Sequence, residues 1–74
     1  MESEQILKGF GLHVRSLRNK KNLSQEKLAH LADLDRTYIS GVERGIRNIS
    51  LINIFKIAKA LSIAPSELFQ FGEK

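Results

Sequence analysis

The chain has 74 residues, 42% of them apolar, with a formal net charge of +4 and a sequence pI of about 9.8. This length allows one domain with one small core, and the apolar fraction is too high for a disordered chain. The absence of cysteine excludes disulfide bonds and thiolate metal sites, and the positive charge favours either a polyanionic partner or a solvated basic surface.

The sequence gives no indication of export or membrane insertion. No apolar run approaches the ~20 residues needed to span a bilayer. The start of the chain, MESEQILKGF, is acidic where a signal peptide would be basic. We therefore expect a cytoplasmic protein with no membrane partner.

The first predicted helix ends near Asn19 and carries one apolar stripe. Its apolar residues recur at i, i+3, i+7 and i+10, namely Leu7, Phe10, Val14 and Leu17. Gly11 lies inside this helix, where glycine costs up to about 1 kcal/mol relative to alanine. We therefore expect the backbone of another helix to approach Gly11 closely.

A helix-turn-helix pattern follows, at about residues 24–45. Ser24 is a good N-cap, and the apolar residues after it recur at helical spacing, namely Leu28, Ala29 and Ala32. The tripeptide Asp33-Leu34-Asp35 interrupts this pattern, and Asp35 can cap a second helix. The inward positions of the second helix are Ile39 and Val42, and it ends at Gly45.

Two further helices complete the predicted chain. Ser50 caps a fourth helix with inward apolar positions at Leu51, Ile54, Ile57, Ala58 and Leu61. Ile52 and Phe55 lie on a second apolar face of the same helix. Pro65 fits the first turn of a fifth helix that runs through Phe69. The chain as a whole predicts an all-α domain of five helices.

The stretch Leu23–Asn48, LSQEKLAHLADLDRTYISGVERGIRN, resembles the helix-turn-helix of the lambda-type phage repressor family, and SQxxLA is the typical opening of that motif. The overlapping stretch DRTYISGVERGIRNISL is similar to the controller proteins of restriction-modification systems. The likeness runs from about Phe10 to Phe69. It implies one compact five-helix DNA-binding domain over residues 1–74, with the helix-turn-helix at helices two and three.

The second helix of the motif presents the residues that we expect to read bases. Arg36 and Thr37 lie in its first turn, where base edges are reached. Arginine can make a bidentate contact to guanine, and threonine can touch a thymine methyl. Ser40, one turn further on, can reach either a base or the backbone. The alternative for Arg36 is a phosphate contact or an exposed position.

Other residues are predicted to contact the DNA backbone. Gln25 is the phosphate contact that the family resemblance implies, and Ser24 can add a second one at the helix N-terminus. Tyr38 can hydrogen-bond a phosphate, with packing against helix two as the alternative. Arg44 is a further phosphate contact, although a basic residue at a helix C-terminus is also favoured by the helix dipole.

The loop after the motif resembles the DNA-contacting loop of the controller proteins. Arg47 is expected to enter the minor groove or meet the backbone, and Asn48 either does the same or shapes the loop. Gly41 cannot read DNA with a side chain, but it would let the helix approach the DNA closely.

The resemblance also implies two structural features. Arg18 is expected to form a buried ion pair with Glu43, tying helix one to helix three, with a phosphate contact by Arg18 as the lesser alternative. The turn has Asp33 where the family commonly has glycine. Because Asp and Asn tolerate a left-handed backbone better than other non-glycine residues, the turn is expected to survive.

One copy of the motif would read about half of a useful operator, because helix-turn-helix proteins usually pair as twofold dimers on half-sites ~34 Å apart. Apolar residues of the second half of the chain are the predicted homodimer interface, namely Ile52, Phe55, Ile63, Leu68, Phe69 and Phe71. The alternative is that several of them close the core of the monomer.

An enzyme is not expected. His13 and His30 are far apart and lack acidic neighbours at ligand spacing, so surface histidines are favoured over a metal site. The serines lie at caps or on the predicted DNA-binding face, and no glycine-rich phosphate loop is present. No cofactor and no small-molecule ligand are therefore predicted.

The sequence predicts a homodimeric transcriptional regulator that binds double-stranded operator DNA of pseudo-palindromic sequence. The controller resemblance implies activation of an operon at moderate occupancy and repression once a second dimer adds, with RNA polymerase as a further candidate partner. A phage-type repressor and an antitoxin-like autorepressor are alternatives of the same class. A protein-interaction module that reuses the fold without reading DNA is the alternative from another class.

Overall fold

The computed structural model describes residues 2–72, and within them the chain forms four α-helices and one 3-10 helix, with no strand. The α-helices are α1 (Ser3–Lys20), α2 (Gln25–Ala32), α3 (Arg36–Glu43) and α4 (Leu51–Ala60). The first, second, third and fourth predicted helices are confirmed. None of these helices is long and apolar enough to cross a membrane.

The fifth predicted α-helix is wrong in type, because Pro65–Phe69 is a 3-10 helix. The backbone N–H of Glu67 donates to the Ala64 carbonyl at 3.0 Å, which is the tighter i to i+3 ring of that helix. The predicted start of this helix at Pro65 is confirmed. A segment of five residues is too short to gain much from i to i+4 hydrogen bonds, which explains why it is not an α-helix.

The three predicted N-caps are confirmed, and each satisfies a free amide at a helix start. The Ser24 hydroxyl accepts from the Lys27 N–H at 3.0 Å, and the Ser50 hydroxyl accepts from Asn53 N–H at 3.2 Å. The Asp35 carboxylate accepts from the Thr37 N–H at 3.4 Å. These short-range bonds set where α2, α3 and α4 begin.

The turn between α2 and α3 depends on a left-handed residue. Asp33 has φ 57° and ψ 47°, which confirms the expectation that aspartate takes the place of glycine there. The backbone N–H of Leu34 donates to the Ala29 carbonyl at 2.8 Å, closing the end of α2. The chain then reverses into Asp35 and α3.

The core lies where α1, α2, α3, α4 and the 3-10 helix meet. Its buried apolar side chains are Phe10, Val14, Leu28, Ala29, Ala32, Ile39, Val42, Ile54, Ile57, Ala58, Leu61 and Leu68. Leu51 was predicted to face inward, and this is wrong, since it is 67% exposed. It is the first residue of α4, so the helical period continues past the end of the core.

The crossing of α1 and α3 depends on Gly11. A Cβ at this position would meet the carbonyl oxygen of Val42 and would lie 2.6 Å from the carbonyl oxygen of Glu43. The predicted close approach of another helix is therefore confirmed. The close packing of α1 against α3 offsets the low helix propensity of glycine, because the two backbones could not come this close if a side chain lay between them.

Part of the predicted dimer interface belongs to the monomer core. Leu68 is fully buried, so its place in an exposed dimer patch is wrong: the 3-10 helix turns it under α4 to close the core. Ile63 and Phe71 are half-buried and pack against that core, and the Phe71 ring meets the Phe10 ring edge-on at 5.8 Å between centroids. Their packing follows the alternative that some of these residues complete the monomer.

The remaining members of that set are exposed. Phe69 is 52% exposed, and on α4 Ile52 is 69% and Phe55 is 55% exposed. Ile52 and Phe55 lie next to the exposed Leu51, so one surface of α4 is apolar and uncovered in the monomer.

Candidate nucleic-acid interface

The helix α3 has one polar face directed outward. At 100° per residue, the side chains of Arg36, Thr37, Ser40 and Arg44 fall within an arc of about 100°. Arg36, Thr37 and Arg44 are exposed and Ser40 is half-buried. The opposite face carries Ile39 and Val42, which are buried in the core. The core therefore orients α3 so that this polar arc is free.

A buried ion pair holds α3 from behind. The Arg18 Nε donates to Glu43 Oε2 at 2.6 Å and its Nη2 donates to Oε1 at 3.0 Å, which makes the pair bidentate. A third donor, Nη1, bonds the Leu23 carbonyl at 2.7 Å. The hydrogen bond to Glu43 raises the pKa of Arg18 above its ordinary value although burial acts against it. Arg18 is therefore charged and buried, each of its three side-chain nitrogens makes a hydrogen bond, and it links α1 to the C-terminal end of α3.

Gln25 joins this network, which the sequence did not indicate. Its Nε2 donates to Glu43 Oε1 at 3.1 Å, and the residue is half-buried. An amide nitrogen has two hydrogens, so one of them and the carbonyl oxygen are left for another partner. Ser24 is exposed beside it, with its hydroxyl already accepting the capping bond. Gln25 and Glu43 are eighteen residues apart and lie on different helices, so helical periodicity could not predict their contact.

The loop after α3 returns over the helix. Gly45 has φ +75°, and the N–H of the next residue, Ile46, donates back to the Gly41 carbonyl at 3.0 Å. The Arg47 guanidinium lies over the ring of Tyr38, with its Cζ 4.9 Å from the ring centroid. Asn48 follows and is exposed.

This loop corrects the interpretation of Gly41. Gly41 is buried, and the atoms nearest to an added Cβ would all belong to the Arg47 side chain. The gap at this position is therefore filled by Arg47 and is not open to an approaching ligand. Tyr38 likewise contacts Arg47, a partner that neither of its predicted roles included.

Positive charge is concentrated and unpaired on this surface. Arg36, Arg44 and Arg47 are all exposed. Among residues 2–72 the single salt bridge joins Arg18 and Glu43, so the three exposed arginines have no carboxylate partner within the described chain. Planar guanidinium groups in this state can bind phosphate or the hydrogen-bonding edge of guanine.

The acidic and histidine side chains of the described residues do not form a cluster. Over residues 2–72, no three His, Cys, Asp or Glu side chains lie close enough to hold a metal ion. His13 is not the surface histidine that was predicted, because its Nε2 is 2.7 Å from the Glu67 carbonyl oxygen and its ring packs near Phe71. It connects α1 to the 3-10 helix.

Comparison with known proteins places this geometry in a family. A family model described as "Helix-turn-helix" matches residues 14–68. The control protein C.BamHI of Bacillus amyloliquefaciens is 59% identical over 63 residues, which are 84% of this chain and 78% of that protein.

Solved structures agree. The restriction-modification controller protein C.AhdI of Aeromonas hydrophila matches with a TM-score of 0.84 and 60% identity, over 85% of this chain and 96% of that one. The controller protein C.Esp1396I, solved as a tetramer in complex with its natural 35 base-pair operator, matches with a TM-score of 0.80 and 35% identity, over 88% of this chain and 86% of that one. The chain belongs to the helix-turn-helix family of DNA-binding transcription regulators, in the group of the restriction-modification control proteins.

Proposed function

We propose that this chain regulates transcription of a restriction-modification operon by binding operator DNA through α3. The observation that carries the proposal is the exposed polar arc of α3, in which arginines without a carboxylate partner lie beside Thr37 and Ser40. An α-helix with its side chains is about 10–12 Å wide, which fits a major groove about 12 Å wide. The buried Arg18–Glu43 pair supports the proposal, because it fixes the tilt of α3 from its inner side.

Base reading is assigned to the N-terminal half of the arc. Arg36 and Thr37 are exposed in the first turn of α3, the part of a recognition helix that enters the groove. Arg36 supplies a guanidinium fork for guanine O6 and N7, and Thr37 supplies a methyl group and a hydroxyl. Ser40 reaches the next base or its phosphate from one turn further on.

Backbone contacts surround this reading surface. Ser24 and Gln25 lie at the N-terminus of α2, whose free amides and positive dipole end favour a phosphate. Arg44 and Arg47 reach the phosphates or the groove beyond the other end of α3, with Asn48 beside them. Tyr38 contributes here through Arg47, whose guanidinium it holds. Phosphate contacts set orientation and affinity, and base contacts set sequence preference.

A homodimer is proposed to place two such surfaces on one operator. The proposed twofold contact is formed by exposed apolar residues, namely Ile52 and Phe55 on α4 together with Phe69. A twofold dimer reads a pseudo-palindrome whose half-sites are about one DNA turn apart. Occupation by a second dimer is the step proposed to change activation into repression, and RNA polymerase is the proposed partner in activation. No catalytic step and no cofactor enter this scheme.

The test is a salt-titrated binding assay with DNA from upstream of the protein's own gene and a scrambled duplex of the same length. We expect tight binding to the upstream DNA alone. The logarithm of the binding constant should fall linearly with the logarithm of the salt concentration, with a slope of about −0.9 per phosphate contact. Arg36→Ala should cost about 1–3 kcal/mol on the upstream DNA and little on the scrambled duplex. Arg44→Ala should weaken binding to both duplexes and reduce the magnitude of the salt slope by about one.

A matched control is Lys20→Ala, which removes the same charge from an exposed position of α1, away from the proposed dimer surface. It should lower affinity less than Arg44→Ala, because α1 is not a reading element. Equal weak binding of both duplexes by the wild type would refute a sequence-specific regulator and favour a protein-interaction module. Specific binding with no effect on a restriction-modification promoter would instead favour a phage-type repressor or an antitoxin-like autorepressor.

A further inference from the structure

Backbone hydrogen bonds hold the loop after α3 against that helix. The N–H of Gly45 donates to the Val42 carbonyl and the N–H of Ile46 donates to the Gly41 carbonyl, both at 3.0 Å. The positive φ of Gly45 allows the reversal that these two bonds need. Arg47 therefore leaves the loop next to α3 and pointing back along it.

The stem of Arg47 occupies the space that Gly41 leaves. A Cβ built on Gly41 would lie 2.5 Å from the Arg47 Cγ and 3.4 Å from its Cδ. The third nearest atom is the Arg47 Cβ at 3.8 Å, so all three nearest neighbours belong to one flexible side chain. Any residue larger than glycine at position 41 would therefore displace Arg47, while the neighbours that belong to the core lie farther away.

The head of Arg47 is held by Tyr38. Residues three apart in a helix lie on the same side, so Tyr38 and Gly41 form adjacent parts of one seat. The guanidinium carbon is 4.9 Å from the ring centroid, within the ~6 Å of a cation–π contact. The glycine accommodates the stem of the arginine and the aromatic ring accommodates its charge.

We infer that Tyr38 and Gly41 are positioning residues that fix Arg47 against α3 before DNA arrives. An unrestrained arginine side chain samples many rotamers and loses that freedom on binding, whereas an arginine that packs against Tyr38 and Gly41 has already lost part of it. Within the proposed function, on which this inference rests, the seat lowers the entropic cost of the Arg47–DNA contact. Gly41 then serves affinity without touching DNA.

The first test needs no DNA and uses NMR spectroscopy of the free protein. Tyr38 is the only tyrosine in the sequence, and the sequence has no tryptophan. The Arg47 side-chain protons should show an upfield ring-current shift that disappears in Tyr38→Leu and in Gly41→Ala. The matched control is Gly9→Ala, whose new Cβ would meet the Phe71 ring and leave Arg47 alone. Arg47 shifts that stay unchanged in Gly41→Ala would overturn the inference.

The second test is a double-mutant cycle in operator binding. Gly41→Ala should weaken binding about 2- to 5-fold, the range that an exposed cation–π contact contributes. In an Arg47→Ala background the same change should have no effect, because the side chain that it displaces is gone. The melting temperature of Gly41→Ala should equal or exceed that of the wild type, because alanine has the higher helix propensity.

The outcomes of the cycle separate the inference from the proposed function. An equal loss from Gly41→Ala with and without Arg47 would overturn the inference, since Gly41 would then act by letting α3 itself approach the DNA. A wild-type protein that fails to prefer operator over scrambled DNA would refute the proposed function. The NMR result would still decide whether the seat exists.

Discussion

Removing Glu43 should expose how much of the stability of this small chain depends on one buried ion pair. Arg18 is 8% exposed and Glu43 is 6% exposed, and two hydrogen bonds of 2.6 and 3.0 Å join them. Glu43→Ala leaves the Arg18 charge buried without its counter-ion, a change that typically costs about 3–5 kcal/mol. Chains of this size have about 4–11 kcal/mol of total stability at roughly 0.05–0.15 kcal/mol per residue. The variant should therefore lose at least about a quarter of the wild-type stability, and it will be unfolded at room temperature if the wild type lies at the lower end of this range.

The matched comparison is the double variant Arg18→Met/Glu43→Leu, which removes both charges together. Replacing a buried pair with apolar residues of similar volume is often neutral or stabilising, so the double variant should recover most of the stability that Glu43→Ala loses. Its recovery will be incomplete, because the Leu23 carbonyl and the Gln25 amide lose their Arg18 and Glu43 partners.

The assay is urea denaturation followed by circular dichroism at fixed protein concentration, since self-association changes apparent stability. A Glu43→Ala variant within about 1 kcal/mol of the wild type would refute the reasoning, because a cost that low is typical of an exposed pair. A double variant as unstable as the single one would show that the cost comes from lost packing and not from the unpaired charge.

Four other outcomes are expected. Gly11→Ala should destabilise the fold by about 1–3 kcal/mol in the same denaturation assay through collision with the α3 backbone, whereas Gly9→Ala, which meets only an aromatic side chain, should cost less. Leu68→Ala should lower the free energy of unfolding by about 2–5 kcal/mol, as truncation of a fully buried leucine does. A loss under about 1 kcal/mol would contradict the burial of Leu68 in the monomer core. Ile52→Glu should raise the dimer dissociation constant at least about tenfold in sedimentation equilibrium while the melting temperature of the monomer holds. The raised pKa of Arg18 means that its stabilisation is complete below its ordinary pKa and is lost as the pH rises through the raised one, so the gap in unfolding free energy between wild type and the double variant Arg18→Met/Glu43→Leu should stay constant from about pH 7 to about pH 10.

The candidate site was predictable where its parts are close in sequence. The outward positions Arg36, Thr37 and Arg44 followed from the 3.6-residue period once Ile39 and Val42 were taken as buried. The ion pair of Arg18 and Glu43 came from family resemblance, and nothing in their separation of twenty-five residues would have suggested it. The packing of the Arg47 side chain against Gly41 was missed for a different reason, because a glycine gives no signal about which side chain fills the space beside it.

Sequence alone determined the start of each helix after α1, the left-handed turn at Asp33 and the outward polar positions of α3. These features depend on hydrogen bonds and backbone preferences spanning a few residues, such as the Ser24 and Ser50 caps. Tertiary structure alone decided which apolar residues are covered. Leu51 and Leu68 both fit an apolar pattern, yet Leu51 is 67% exposed and Leu68 is fully buried. Burial depends on where distant elements end and meet, and the spacing along one helix carries no record of that.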